Sequence, residues 1–399
     1  MDWREIDIRY KDSSMKTVSS SFLLAGVATA VSLATIPVAQ AQAQTQTVKI
    51  GFSAPMTGPQ AMYGKDYEMG AMLAIDEFNA TKPRIDGKIT TFVLDSADDQ
   101  ADPKTGTMIA QRLVDDGIKG MLGHLNSGVS IPASAIYAQA GIPQISMSTA
   151  PAYTQQGFKT TFRVMTSDTQ QGGVMGRYVV DKVHAKRVAI VDDRTAYGQG
   201  LADEFEKSVK AASGNVIDRQ YTTDKSTDFK AILTVLKGKN PDLIYYAGAD
   251  AQSAPMVKQA RSLGMTSLFV SGEMAKTDNF IKVAGQSAEG VLVSLPGSPL
   301  DRMPGGETFA KRYDAKFGSK PVLYAPFSYD GAMAMMKAMS EAGSSDPSAY
   351  LPKLAKIDMK GVTTDHFSYD RYGNLRNATV TVYKCENGQW VALEVTNPK

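Results

Sequence analysis

Apolar residues along this chain gather in short blocks separated by longer amphipathic stretches. Residues 48–54, 89–94, 120–122, 144–146 and 161–164 read as strands. Between them, residues 65–79 carry Met69, Met72, Leu73, Ile75 and Phe78 at helical spacing, and Asp102-Pro103 fits the cap and first turn of a helix running to 116. Helices 130–140 and 168–183 follow, the second read as opened by an aspartate cap. The rhythm then restarts: strands 187–191, 216–221, 243–246, 268–270 and 291–295 alternate with helices 201–212, 229–236 and 254–263. Helices 307–317 and 325–342 come next, and strands 379–384 and 390–395 close the chain around the hairpin signal Asn387-Gly388. Such alternation predicts an α/β fold with mostly parallel sheets covered by helices.

In an open α/β sheet the loops leaving the carboxyl ends of strands line the ligand crevice. Two predicted strands here end in small hydroxyl residues: Asn126, Ser127 and Gly128 after one, Ser148 and Thr149 after the next. A helix starting just after Ser127 also aims unpaired backbone N–H groups at the crevice, which favours a carboxylate or phosphate. The competing reading is that these hydroxyls only cap helices and make turns. Glu273, in Ser271-Gly272-Glu273 after another strand, occupies an equivalent position.

Length and composition narrow the function. The chain has 399 residues, enough for two lobes, and 43 Lys plus Arg against 41 Asp plus Glu leave no broad basic field for nucleic acid. One cysteine, Cys385, and three scattered histidines, His124, His184 and His366, provide neither an intrachain disulfide nor zinc-ligand spacing. Asp95, Asp98, Asp99 and Asp102 lack the order of a calcium loop and are read as a solvated loop with a helix cap. Lys16, the apolar run 22–38 and the small-residue sites around Ala39, Ala41 and Ala43 have the parts of an export signal starting at Met15, with 1–14 an upstream extension. The run is broken by Ser32, Thr35 and Pro37, unlike a spanning helix of ~20 apolar residues. A periplasmic protein is expected.

No dinucleotide or P-loop glycine motif is found, and no cofactor is expected. His124 and Ser127 offer a base and a nucleophile for a serine-type hydrolase, but no acid is placed in sequence to orient the histidine. A helix-turn-helix would mark a two-lobed gene regulator; the amino terminus carries the export signal instead.

The stretches SAPMTGPQAMYG, DDQADPKTG, GHLNSGVSIPAS, TAPAYTQQGF and AYGQGLA, spread from Val48 onward, resemble the Leu/Ile/Val-binding family of periplasmic solute receptors for ABC importers. The resemblance implies a type I periplasmic binding fold, two Rossmann-like lobes joined by three crossovers, with residues 44–167 plus 298–380 in one lobe and 168–297 plus 381–399 in the other. It implies a monomeric, non-enzymatic receptor that closes on a branched-chain or other hydrophobic amino acid and presents it to a membrane permease. Relatives taking amides, urea or aromatic carboxylates keep those ligands open as alternatives. Carried over by position, Ser127 gives its hydroxyl and N–H to the ligand carboxylate, while Ser148 and Thr149 contact carboxylate and ammonium. One residue is missing there, so Met147 competes with Ser148. Glu273 holds the ammonium, and Tyr63, Tyr197 and Tyr324 surround the ligand. Ala101 and Asn126 stand where relatives have a disulfide, and Ala249 where they have an aromatic ring, which predicts a wider pocket.

Overall fold

The structure is a computed structural model that describes residues 44–397. The expected export signal lies outside the described residues. The first sheet is built from β1 (Thr45–Ala54), β2 (Arg84–Ile85), β3 (Lys88–Asp98), β4 (Gly120–Gly123), β5 (Gln144–Ser146) and β6 (Thr161–Arg163) in the order β2-β3-β1-β4-β5-β6. All its pairings are parallel except the short β2–β3 hairpin. Helices α1 (Ala61–Ala80), α2 (Pro103–Asp115), α3 (Ser127–Gln139) and α4 (Ala152–Gln155) connect these strands.

After β6 the chain passes through α5 (Asp168–Asp181) into a second sheet. This contains β7 (Val188–Asp192), β8 (Val216–Tyr221), β9 (Leu243–Ala247), β10 (Leu268–Ser271) and β11 (Leu292–Pro296), linked by α6 (Ala196–Ala211), α7 (Lys230–Lys239), α8 (Asp250–Ser262) and α9 (Asp278–Ala284). The chain then leaves again: α10 (Gly306–Phe317) and α11 (Ala325–Ala342) pack on α1, and α12 (Pro347–Leu354) packs on α11. After a small β12 (Asp358–Met359) and β13 (Phe367–Ser368) pair, it returns as β14 (Val380–Glu386) and β15 (Gln389–Thr396), antiparallel strands at the edge of the second sheet. The second sheet runs β15-β14-β11-β10-β9-β7-β8. The chain therefore crosses between lobes three times.

Sequence explains these layers. Every residue of β7 and β9 is buried, as expected of parallel strands covered on both faces, whereas β15 alternates toward solvent at its edge. In the first sheet the order reverses between β1 and β4, in the second between β7 and β9. Those switch points open a crevice at the strands' carboxyl ends.

Several boundaries differ from the sequence reading. Helix α3 begins at Ser127, because Asn126 already takes the extended cap conformation. Helix α5 is capped by Ser167, whose side chain forms a reciprocal capping box with Gln170, so Asp168 is the first helical residue and not the cap. The short elements β2, α4, α9 and α12 had no periodicity long enough to be read.

Candidate functional site

The first-lobe half of the crevice is assembled from the ends of β4 and β5. Ser127 opens α3, so its side chain and the first N–H groups of that helix lie at the crevice. The Ser148 hydroxyl donates to the Ser127 hydroxyl oxygen at 3.1 Å, and the Ala150 N–H reaches the same oxygen at 3.3 Å. Ser146 ties the loops together by donating to the His124 carbonyl at 2.7 Å and accepting the Ser148 N–H at 2.9 Å. Beneath them, the fully buried Arg163 of β6 donates to the Thr149 carbonyl and, at 3.0 Å, to the Ala150 carbonyl. Burial lowers its pKa to about 10. Sequence reasoning missed this prop, because an arginine ending a three-residue strand shows no pattern.

The second-lobe half is acidic and aromatic. Glu273 begins a short 3-10 turn after β10 and is buried. Its Oε2 accepts from Gln171 Nε2 at 2.6 Å and from the Tyr197 hydroxyl at 2.8 Å. Burial raises its pKa, and these two donors only partly offset the rise. Beside it lies a residue the sequence reading used only as a helix cap. Asp168 is fully buried, and neither carboxylate oxygen has a hydrogen-bond partner. Burial, then the charge of Glu273, pushes its pKa well up; the nearby Thr149 side chain and the Arg163 guanidinium oppose the rise, neither at ordinary hydrogen-bond geometry to the carboxylate.

The lobes meet around these groups. The Tyr63 hydroxyl donates to the Met274 carbonyl at 2.6 Å, joining α1 to the turn that carries Glu273. Tyr63 and Tyr324 pack edge to face with centroids 5.8 Å apart, and Tyr197 is buried with them. Gly200 of α6 permits the close approach, since a Cβ there would lie 3.2 Å from Asp168 Oδ2 and 3.9 Å from Ala150 Cβ. Ser127, Ser148, Thr149, Tyr63, Tyr197, Tyr324 and Glu273 thus come to one buried interface, and Asp168 joins them. Ala249 is buried at the start of α8, at the end of β9. The Asn126 amide donates to Gln60 Oε1 at 2.7 Å, and its own oxygen is buried without a partner.

Residues 47–389 match the family described as periplasmic binding protein. The chain belongs to the periplasmic binding protein family. It is 33% identical over 342 residues, 86% of this chain and 91% of the relative, to a Leu/Ile/Val-binding protein homologue of Brucella melitensis. A leucine-binding protein of Thermotoga maritima superposes with a TM-score of 0.81 at 28% identity, covering 88% of this chain and 99% of that one. A branched-chain amino acid transporter substrate-binding protein of Streptococcus pneumoniae, solved in complex with isoleucine, gives 0.79 at 28% identity, covering 88% and 100%. Members of this family are binding components of ABC transporters, not enzymes.

In this binding protein the histidine beside the crevice is a structural group, in a way the sequence did not show. His124 does have an orienting acid: its Nδ1 lies 2.7 Å from Asp99 Oδ2, both side chains fully buried. The acidic loop is therefore not wholly solvated, and Asp99 also accepts from the Ser53 hydroxyl at 3.0 Å. Nε2 faces the Tyr137 hydroxyl at 3.2 Å instead of Ser127. The Ser127 oxygen is engaged by Ser148 and Ala150, so no nucleophile and base are paired. Among the described residues no group of His, Cys, Asp and Glu is arranged for a metal, and no helix is long and apolar enough to cross a membrane.

Proposed function

We propose that this protein captures a branched-chain or other hydrophobic amino acid between its lobes and presents it to the permease of an ABC importer. The observation that carries the reading is the pairing across one buried interface of two opposite chemistries. Neutral donors and a helix N-terminus at Ser127, Ser148 and Thr149 suit an α-carboxylate; the buried acids Glu273 and Asp168 suit an ammonium. A zwitterion supplies both charges, and each would be costly to bury unpaired. Tyr63, Tyr197 and Tyr324 enclose the remainder of the ligand, and Ala249 leaves room for its side chain. The amino acids named for the Brucella, Thermotoga and Streptococcus relatives support the same class.

The lobes comprise residues 44–167 plus 298–379 and 168–297 plus 380–397, Val380 being moved to the second by its pairing with Pro296, and act in a monomer exported to the periplasm by a signal beginning at Met15. Calorimetric titration with leucine, benzoate and acetamide tests the ligand class. Leucine binds, and Glu273→Ala weakens it by about 2 to 5 kcal/mol, the usual cost of truncating one side of a buried charge pair. A loss below about 1 kcal/mol, typical of a surface carboxylate, would refute the ammonium role. Tight benzoate binding without leucine binding would move the protein to the aromatic-acid class.

A further inference from the structure

Away from the interface just described, a groove of about 750 Å³ lies between α10, which packs on the first lobe, and the β14–β15 edge of the second. Its floor is the crossing segment at Pro299–Arg302. Leu300 on the floor, Ala310 on one wall and Tyr383 and Trp390 on the other form its apolar part, and charged side chains, Lys276, Asp301, Arg302, Glu307 and Lys311, complete the lining. Lys276 sits between them with its ammonium over the Tyr383 ring, 5.0 Å from the centroid, and with no carboxylate at ion-pair distance among the described residues. Of the two acids that line the groove, Glu307 is bridged by Lys311 at 2.6 Å, whereas Asp301 has no ion pair among the described residues and, like Arg302, acts on Tyr383, so the lining holds three cations against two acids. Burial lowers the Lys276 pKa, and Asp278 only partly opposes this. A half-buried cation over an aromatic face, inside a groove of ligand size, has no ion-pair partner of its own among the described residues.

We infer that this groove is a second binding site, for a small aromatic carboxylate or similar amphipathic organic anion, and that its occupant biases lobe closure. Lys276 pairs with the carboxylate while Trp390, Leu300 and Ala310 cover the ring. The coupling has a short physical route. Lys276 ends the same 3-10 turn that begins with Glu273, its N–H bonding the Glu273 carbonyl at 2.9 Å. Trp390 Nε1–H donates to the carbonyl of the next residue, Thr277, at 3.1 Å. Because the two walls belong to different lobes, the groove's width depends on their angle, and the form with the lobes in contact has the groove formed. An anion that fits this form favours it and so tightens amino-acid binding, with the reciprocal effect required by linkage. The site itself stands without the proposed amino-acid function; only the coupling rests on it.

The test uses 2-naphthoate and tryptophan fluorescence. The chain has two tryptophans, Trp3 and Trp390, so the signal is read against Trp390→Phe. Saturable quenching is expected in the wild type. It should persist in Ser127→Ala, weaken about tenfold in Lys276→Met, equivalent to ~1.4 kcal/mol, and vanish in Ala310→Phe, which fills the groove from the opposite wall. Saturating 2-naphthoate should tighten leucine binding about fivefold, at the low end of ordinary coupling energies. Absence of saturable quenching, unchanged affinity in Lys276→Met with native thermal unfolding, or loss in Ser127→Ala together with competition by leucine would overturn the site. Saturable quenching with no change in leucine affinity would overturn the effector role.

Discussion

Asp66 and Asp168 are both buried aspartates, and they are treated in opposite ways. Asp66, on α1, accepts the N–H groups of Val322, Leu323, Tyr324 and Ala325 at 2.6 to 3.0 Å and the Tyr313 hydroxyl at 3.1 Å. It clamps the start of α11 and so positions Tyr324. Asp168, at the start of α5, has no partner for either oxygen. A carboxylate enclosed by donors is part of the scaffold. One left bare inside the lobe interface is costly unless something arrives to meet it. The difference separates a carboxylate satisfied by the scaffold from one that the proposed amino-acid ligand would satisfy.

The largest way to break the comparison is Asp66→Ala. Several donors lose a charge-assisted bond at once, each worth ~1.5–3 kcal/mol. Chemical denaturation should show a loss of at least about 3 kcal/mol, and a loss below about 1 kcal/mol would mean that the clamp is not structural.

Asp168→Asn should act in the other direction. Removing a buried, unpartnered charge stabilises the empty protein by about 1 kcal/mol while weakening leucine binding. The effect has a definite pH sign. The folded-state pKa of Asp168 is raised, so between the ordinary carboxylate value and that raised value the folded protein holds a proton that the unfolded chain has released. Stability from this group therefore falls as pH rises through that window. The gap between Asp168→Asn and wild type should widen with rising pH in denaturation series. A gap that is constant, or that narrows, would contradict the bare-carboxylate reading.

Ser127→Ala sharpens the other half of the site and is the smallest change. It removes one neutral hydroxyl contact, worth ~1 kcal/mol or about fivefold in leucine affinity. Calorimetry should show this beside a thermal midpoint close to wild type. An effect as large as that of Glu273→Ala would shift the main energetic role to the hydroxyl side.

The contrast between the two aspartates also shows how far sequence reasoning reaches. Strands such as β7 and β9 were legible because continuous apolar blocks are a local property, as was the Asp102-Pro103 opening of α2. The strand-end pattern singled out Ser127, Ser148, Thr149 and Glu273, because each follows the end of a strand, and the structure buries all four at the lobe interface. Asp168 carried a local signal that pointed elsewhere, since an aspartate before an amphipathic stretch reads as a cap. Only the capping box at Ser167 frees its side chain from that task.

By itself, then, the sequence determined the α/β alternation, the export signal at the level of expectation, and which strand ends deliver polar residues. Tertiary structure decided what those residues meet. Asp99 and His124 lie 25 positions apart and Gln171 and Glu273 lie 102 apart, yet each pair is in hydrogen-bond contact. Hydrophobic periodicity is set by neighbours a few residues away, whereas the partner of a buried charge is set by how two sheets and their crossings bring distant loops together.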